Sequence, residues 1–319
     1  MVSIKDIADH AGVSVATVSR VINNKGYISE ETRKKVMKYV EELNYIPNEL
    51  ARSLNNKSSK IVGLMIPTVE MTFFSELTFA IESAAHKHDY KILLCNSEVD
   101  ADKEKGYINM LKRNQVAGII MASQNMDVDY YKNIDYPVVM IERSFSTDIP
   151  YVISDNYNGG VLATEHLIEH GCTYIGHLSG CRDIKPANKR SEAFLDTMKE
   201  HKLPYVVEHA DLGYDPAYQV ATKMLREHPK LDGVFCSSDE SALAFIMAAK
   251  DYGKKIPEDI KVVGYDGVKI AKNLGITTIE QPIKDMGQAA FELLLKKING
   301  EKSIDSRIFS VKLIDGATT

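Results

Sequence analysis

The 319-residue sequence contains no tryptophan and only four cysteines. Cys95, Cys172, Cys181 and Cys236 stand singly, without the paired spacings of a disulfide framework or a zinc site. Three of them sit in or beside apolar segments, so buried, inert thiols are the expectation. No run of about 18 apolar residues occurs, which excludes a membrane-spanning helix. The opening Met1-Val2-Ser3-Ile4-Lys5-Asp6 has no apolar stretch of a secretion signal behind its basic residue, and a soluble cytoplasmic protein is expected. Motifs of catalysis are also missing: no GxGxxG follows the first apolar strand, and no GxxxxGK[ST], HExxH or GxSxG occurs. No catalytic residue, metal site or cofactor is therefore predicted, and an enzyme is not expected.

What is present is an ordinary globular composition, 44% hydrophobic and 26% charged, on a chain too long for one compact core. Two or three folding units follow. The net charge of −5 is unevenly spread. Residues 1–60 carry ten Lys or Arg against seven Asp or Glu, and the remainder carries 29 against 37. A mildly basic head on an acidic body suits a modular DNA-binding protein.

In the head, Ser3 stands as a cap before Ile4, Ile7, Ala8 and Ala11, the spacing of a short amphipathic helix. Gly12-Val13-Ser14 interrupts it, and Ser14 caps a second helix whose Val18, Val21 and Ile22 face inward. Thr17, Ser19, Arg20 and Asn23 stay largely polar. Two short helices across a tight glycine turn are either one corner of an arbitrary three-helix bundle or a helix-turn-helix unit whose second helix enters the major groove. A third helix opens at Ser29, with Val36, Tyr39, Val40 and Leu43 closing the small core. Residues 48–56 suffice for barely two further turns, too few to stand alone. Ordered against DNA, such a segment gives Leu54 a purpose as an apolar wedge in the minor groove, with Arg52 or Asn55 on nearby backbone; the alternative for Leu54 is packing against the body.

The run IKDIADHAGVSVATVSRVINNKGYISEETRKKV followed by LNYIPNELARSL resembles the head of the lactose/galactose repressor family over its full length and without gaps. The resemblance implies that Val15 and Ala16 occupy the leading base-reading positions, beside Ser14 and Thr17, with Arg20 a third and Asn23 at the end of the helix. Tyr45, Pro47 and Asn48 stand at the junction to the hinge helix, and Leu54 falls on the family's intercalating leucine. Small apolar groups at 15 and 16 touch thymine methyls but form no bidentate bonds, which leaves much of the polar base readout to Arg20.

Beyond Lys60 short apolar strands alternate with helices, the rhythm of parallel sheets covered on both faces. Strands are expected over residues 61–66, 90–95, 116–121 and 137–141, and in a second set over 174–179, 206–209, 233–237, 261–264 and 276–278. Two such lobes leave a cleft at the carboxyl ends of their strands. Polar and aromatic residues gather there: Phe73-Phe74 in a loop after the first strand, Glu142-Arg143 ending the fourth, Asp155-Asn156 at a crossover, Arg190 opening a helix, then Asp239, Asp266 and Gln281. Each alone is more often a cap, an ion pair or a turn residue. Together they offer aromatic faces and planar hydrogen-bonding groups, which a neutral polyhydroxylated ring requires.

The segments KSSKIVGLMIPTVEMTFFSEL, VISDNYNGG, FCSSDESALAF and TTIEQPIKDMG resemble the sensor domain of the same family, itself similar to periplasmic sugar-binding proteins. The resemblance thus implies an all-α helix-turn-helix head on a two-lobed α/β, periplasmic-binding-protein-like sensor with parallel sheets. The head would cover 1–57 with a hinge helix at 48–56, and the sensor 60–319. Its first lobe would take 61–153 and 284–306, its second 156–281 and 308–319. Carried over by position, the effector pocket holds Phe73, Phe74, Arg143, Arg190, Asp266 and Gln281, with Ser238 where many relatives carry asparagine.

The effector itself stays open. The pocket pattern resembles ribose repressors, while NKGYISE and GYDG followed by TTIEQPIKD look equally like sucrose- and fructose-responsive repressors. The lack of tryptophan favours ribose or a furanose sugar. Leu212 and Ile184, where a nucleobase binder would use aromatic or polar contacts, argue against a purine. The implied mechanism is a homodimer on a palindromic operator, released by a small sugar. A phosphorylated corepressor protein docking on the body is a further partner found in this family. A non-catalytic sugar-binding transport receptor is the different-class alternative, but it would lack the first 57 residues.

Overall fold

The computed structural model describes residues 2–24, 26–45, 59–123, 130–131, 133–143, 149–180 and 185–319. The chain divides into two compact units, Met1–Ser59 and Lys60–Thr319. No helix among the described residues is long and apolar enough to cross a membrane.

In the first unit, α1 (Ile4–Ala11) starts at Ser3, whose hydroxyl accepts the Asp6 N–H while the Asp6 carboxylate accepts the Ser3 N–H. This reciprocal box satisfies two helix-end donors at once. Gly12 ends the helix at φ +61°, a left-handed conformation that costs a Cβ-bearing residue energy. The chain reverses there into α2 (Val15–Ile22), capped by Ser14. The third helix, α3 (Glu30–Glu42), is capped by Ser29. Ile7, Ala8, Ala11, Val18, Val21 and Val36 form the buried core, with Tyr39, Val40, Leu43 and Tyr45 packed on its margin.

In the second unit two six-stranded sheets are built from β1 (Ile61–Ile66), β2 (Lys91–Asn96), β3 (Gly118–Met121), β4 (Val138–Ile141), β5 (Tyr151–Ser154), β6 (Ile175–Ser179), β7 (Tyr205–His209), β8 (Gly233–Cys236), β9 (Lys261–Asp266), β10 (Thr277–Glu280), β11 (Arg307–Phe309) and β12 (Lys312–Ile314). Their orders are β11-β5-β4-β3-β1-β2 and β12-β10-β9-β8-β6-β7. Every pairing is parallel except β10 with β12. Strands such as Ile61–Ile66 read as unbroken apolar runs because helices cover both faces.

The helices are α4 (Thr72–His86), α5 (Ala101–Arg113), α6 (Asn156–Glu169), α7 (Lys185–His201), α8 (Tyr214–Glu227), α9 (Asp239–Asp251), α10 (Lys269–Asn273) and α11 (Ile283–Ile298). The last of these returns to the first lobe and packs on α4. The chain therefore crosses between the lobes at three places, after Ser154, near Gln281 and after Phe309.

Several expectations are corrected. Phe73 and Phe74 lie in the first turn of α4 rather than in a loop, because the helix starts directly after Met71 without a side-chain cap. Arg190 lies inside α7, which already begins at Lys185. The second-lobe boundary at 308 moves, since β11 pairs with β5 through Phe309 and keeps that segment in the first sheet. The strands β5, β11 and β12 were not anticipated.

Candidate DNA-reading surface and effector cleft

On the head, the cap that starts α2 also sets its outward face. Ser14 accepts the Thr17 N–H at 3.1 Å, and with Val18 and Val21 anchored inside, the helix turns Val15, Ala16 and Arg20 to solvent. Val15 is 43% exposed. Thr17 is half-buried. Asn23 uses its amide on the Ser19 carbonyl at 2.8 Å, and Tyr45 packs against the core margin. Tyr27, not among the expected DNA contacts, stands 97% exposed after α2. Asn48, Arg52, Leu54 and Asn55 lie outside the described residues.

In the sensor unit, the strand ends of both lobes line one cleft with a cavity volume of about 110 Å³. Pockets for drug-sized ligands run to roughly 300–1,000 Å³, so this one is small. Phe73, Phe74, Glu142, Arg143, Arg190, Ser238 and Asp266 are on its wall. The two phenyl rings meet edge to face, 5.2 Å apart at 80°.

Arg190 is the centre of the polar side and is 7% exposed. Its guanidinium lies 3.6 Å over the Tyr265 ring. Its Nε donates to Asn156 Oδ1 at 2.7 Å and Nη1 to the Ser237 carbonyl at 2.6 Å. Asp266 stands 3.6 Å from it and Glu142 3.9 Å. Glu142 in turn accepts from the Ser154 N–H at 2.7 Å and from Asn156 Nδ2 at 2.9 Å. Arg190, Asn156, Glu142 and Asp266 thus partner one another, the condition for keeping a charge out of water. Burial pushes the Asp266 carboxyl well above its ordinary range, with Arg190 acting in the opposite direction. Both acids sit at positive φ, +54° for Glu142 and +113° for Asp266. Strained backbone of this kind persists where surroundings fix it and gathers at functional sites.

Gln281 is not on the cleft wall. It is 2% exposed, donates to Asp266 Oδ1 at 2.7 Å, and accepts from the Ser154 hydroxyl at 2.6 Å. It therefore ties two lobe crossings together and holds Asp266 from behind. Asp239 is also drawn away from the cleft, accepting from the Val268 N–H at 2.8 Å and from the Thr278 hydroxyl. Ser238 lines the wall, but its hydroxyl caps α9 by accepting the Ser241 N–H at 3.1 Å. The sequence reading had noted Glu142 without placing it in the pocket, and it missed Asn156 and Tyr265 as the supports of Arg190. Cys95, Cys172 and Cys236 are free and buried, and burial raises all three thiols.

This geometry agrees with what the chain is similar to. Residues 59–316 match the family described as periplasmic binding proteins and sugar binding domain of the LacI family, and residues 3–48 match bacterial regulatory proteins of the lacI family. A ribose operon repressor of Halalkalibacterium halodurans is 40% identical, with 100% of this chain and 97% of the relative covered.

The chain belongs to the LacI family.

It is accordingly a DNA-binding regulator with a sensor domain and not an enzyme. A sucrose operon repressor of Streptococcus mutans is 37% identical, covering 98% of this chain and 97% of the relative. Among solved structures, the lac repressor dimer bound to operator and the anti-inducer ONPF superposes with a TM-score of 0.89 at 27% identity, covering 100% of this chain and 99% of that one. A LacI-family regulator from Alkaliphilus metalliredigens complexed with D-xylulofuranose gives a TM-score of 0.76 at 35% identity, covering 82% and 99%.

Proposed function

We propose that this LacI-family protein is a cytoplasmic, homodimeric repressor of a sugar-utilisation operon, released from a palindromic operator by a small sugar, with ribose favoured. The observation that carries the sugar reading is the cleft: two phenyl rings face a buried Arg190, Glu142 and Asp266 in a small cavity. Aromatic faces take the apolar faces of a sugar, and planar charged groups share its hydroxyls. The similarity to ribose and sucrose operon repressors supports both sugars, and the small cavity favours the monosaccharide. On the DNA side, Val15, Ala16 and Arg20 present the base-reading face, and Leu54 acts as the wedge that bends the operator centre.

Calorimetric titration of the full-length protein with D-ribose, D-fructose and sucrose tests the sensor assignment. One monosaccharide should bind, and Asp266→Ala should abolish that binding while operator affinity stays intact. Equal sugar affinity in the variant would remove Asp266 from the site. Leu54→Ala should weaken operator binding and leave sugar binding unchanged; wild-type operator affinity would overturn the hinge assignment. Control by a phosphorylated partner protein becomes the working reading if no sugar gives heat.

A further inference from the structure

The loop after Asp266 is held by three successive backbone N–H groups. The Gly267 N–H donates to the Thr278 hydroxyl at 3.3 Å and the Val268 N–H to the Asp239 carboxylate at 2.8 Å, both inside the second lobe. The Lys269 N–H instead leaves that lobe and donates at 2.8 Å to the carboxylate of half-buried Glu76, on α4 of the first. Gly267 has φ +67°, and a Cβ there would lie 2.5 Å from the Glu280 Cα, so the loop has little room for another path. Asp266 at one end and the Lys269 N–H at the other are therefore braced as one piece. On the opposite side, Glu76 lies one helical turn from Phe73, which is on the cleft wall. One hydrogen bond thus joins the helix that carries Phe73 to the loop that carries Asp266.

We infer that Glu76 is a positioning residue for the effector site: it ties the two lobes together and sets the spacing between Phe73 and Asp266. The inference rests on the sugar-cleft reading and adds to it a residue set back from the described cleft wall. Two-lobed domains close around a ligand as rigid bodies, and a ligand held between lobes needs both walls at once. A hydrogen bond to a carboxylate biases such an equilibrium by about tenfold. When the bond is lost, the fraction of protein with both walls in place falls, and apparent effector affinity falls by the same factor.

The test is calorimetric titration of the full-length protein with D-ribose and D-fructose, together with amide exchange of residues 267–274 in the absence of sugar. Glu76→Ala removes the acceptor and keeps a good helix former on α4. Lys269→Pro removes the donor: proline is tolerated at the first position of a helix, and Val268 already has φ −65° and ψ 152°, which suits the residue before a proline. Each of the two should weaken whichever sugar binds by about tenfold, and the double variant should be no weaker than either alone. Glu76→Ala should also speed exchange of the loop. Glu76→Gln keeps an acceptor oxygen and Lys269→Ala keeps the N–H, so both should stay within about threefold of wild type, which a general structural role for either side chain would not allow. Unchanged sugar affinity in Glu76→Ala and Lys269→Pro would overturn the inference and leave the sugar reading standing, as would losses in Glu76→Gln and Lys269→Ala equal to theirs. Silence from both sugars in wild type would remove the sugar reading; faster loop exchange in Glu76→Ala would then uphold the tie between the lobes, and unchanged exchange would overturn it.

Discussion

The two units place their candidate functional residues in opposite environments. On the head, Val15, Ala16 and Arg20 point into water, and the core of Ile7, Val18, Val21 and Val36 is complete without them. In the sensor, Arg190, Glu142 and Asp266 are buried and bonded to residues that also hold the lobe crossings, including Asn156, Ser154 and Gln281. A surface that reads DNA can be rewritten one side chain at a time. A cleft built from buried polar groups cannot, because Arg190, Glu142 and Asp266 each also keep another buried group satisfied.

The largest test of this contrast is Arg190→Ala. It should lower sensor stability by about 3 kcal/mol in chemical denaturation, since it strands two buried carboxylates and the Asn156 amide. Effector binding should fall at least a hundredfold. A variant as stable as wild type would show that the network does not support the fold.

Acid should divide the units next. His177 is fully buried between the Phe194 and Phe235 rings, its Nδ1 donating to the Phe235 carbonyl and the Nε2 of the neutral ring accepting from the Ser191 hydroxyl, and burial lowers its pKa from 6.5 to about 4. The unfolded chain therefore binds this proton more readily than the folded one. The neutral imidazole's contribution is complete above pH 6.5 and is lost as pH falls through 4, by about 3 kcal/mol. Denaturation midpoints from pH 7 to 4 should show that slope in wild type and a shallower one in His177→Gln; parallel slopes would contradict it.

On the head, Arg20→Ala should weaken operator binding by about tenfold to a hundredfold, the value of one bidentate base contact, while thermal stability moves by less than about 0.5 kcal/mol. A large loss of stability would place Arg20 in the fold rather than at the DNA. Smallest is Ser14→Ala, which removes the cap of α2 and should destabilise the head by about 1 kcal/mol.

The same contrast explains what could be read from the chain. Ser14, Val15 and Arg20 were legible because cap, turn and helical period are local patterns. Arg190 and Asp266 were legible as charged residues beside apolar runs. Phe73 and Phe74 were misplaced in a loop because α4 starts without a capping side chain. Gln281 looked like cleft wall because strand-end position does not say which way an amide turns. Glu142 is legible as a strand-end acid but not as part of the pocket, because its role depends on a positive φ and on Ser154 and Asn156, which only the assembled sheet brings to it. The three-residue strands β11 and β12 exist by pairing with β5 and β10, not by any pattern of their own.

The central claim is that the buried cleft controls the exposed DNA face. It is tested most directly by measuring operator affinity, with a fluorescent palindromic duplex, as the bound sugar is brought to saturation. The account predicts at least a tenfold loss of operator affinity, with the same factor lost from sugar affinity when operator saturates the protein. Operator affinity that stays constant or rises at saturating sugar would contradict it.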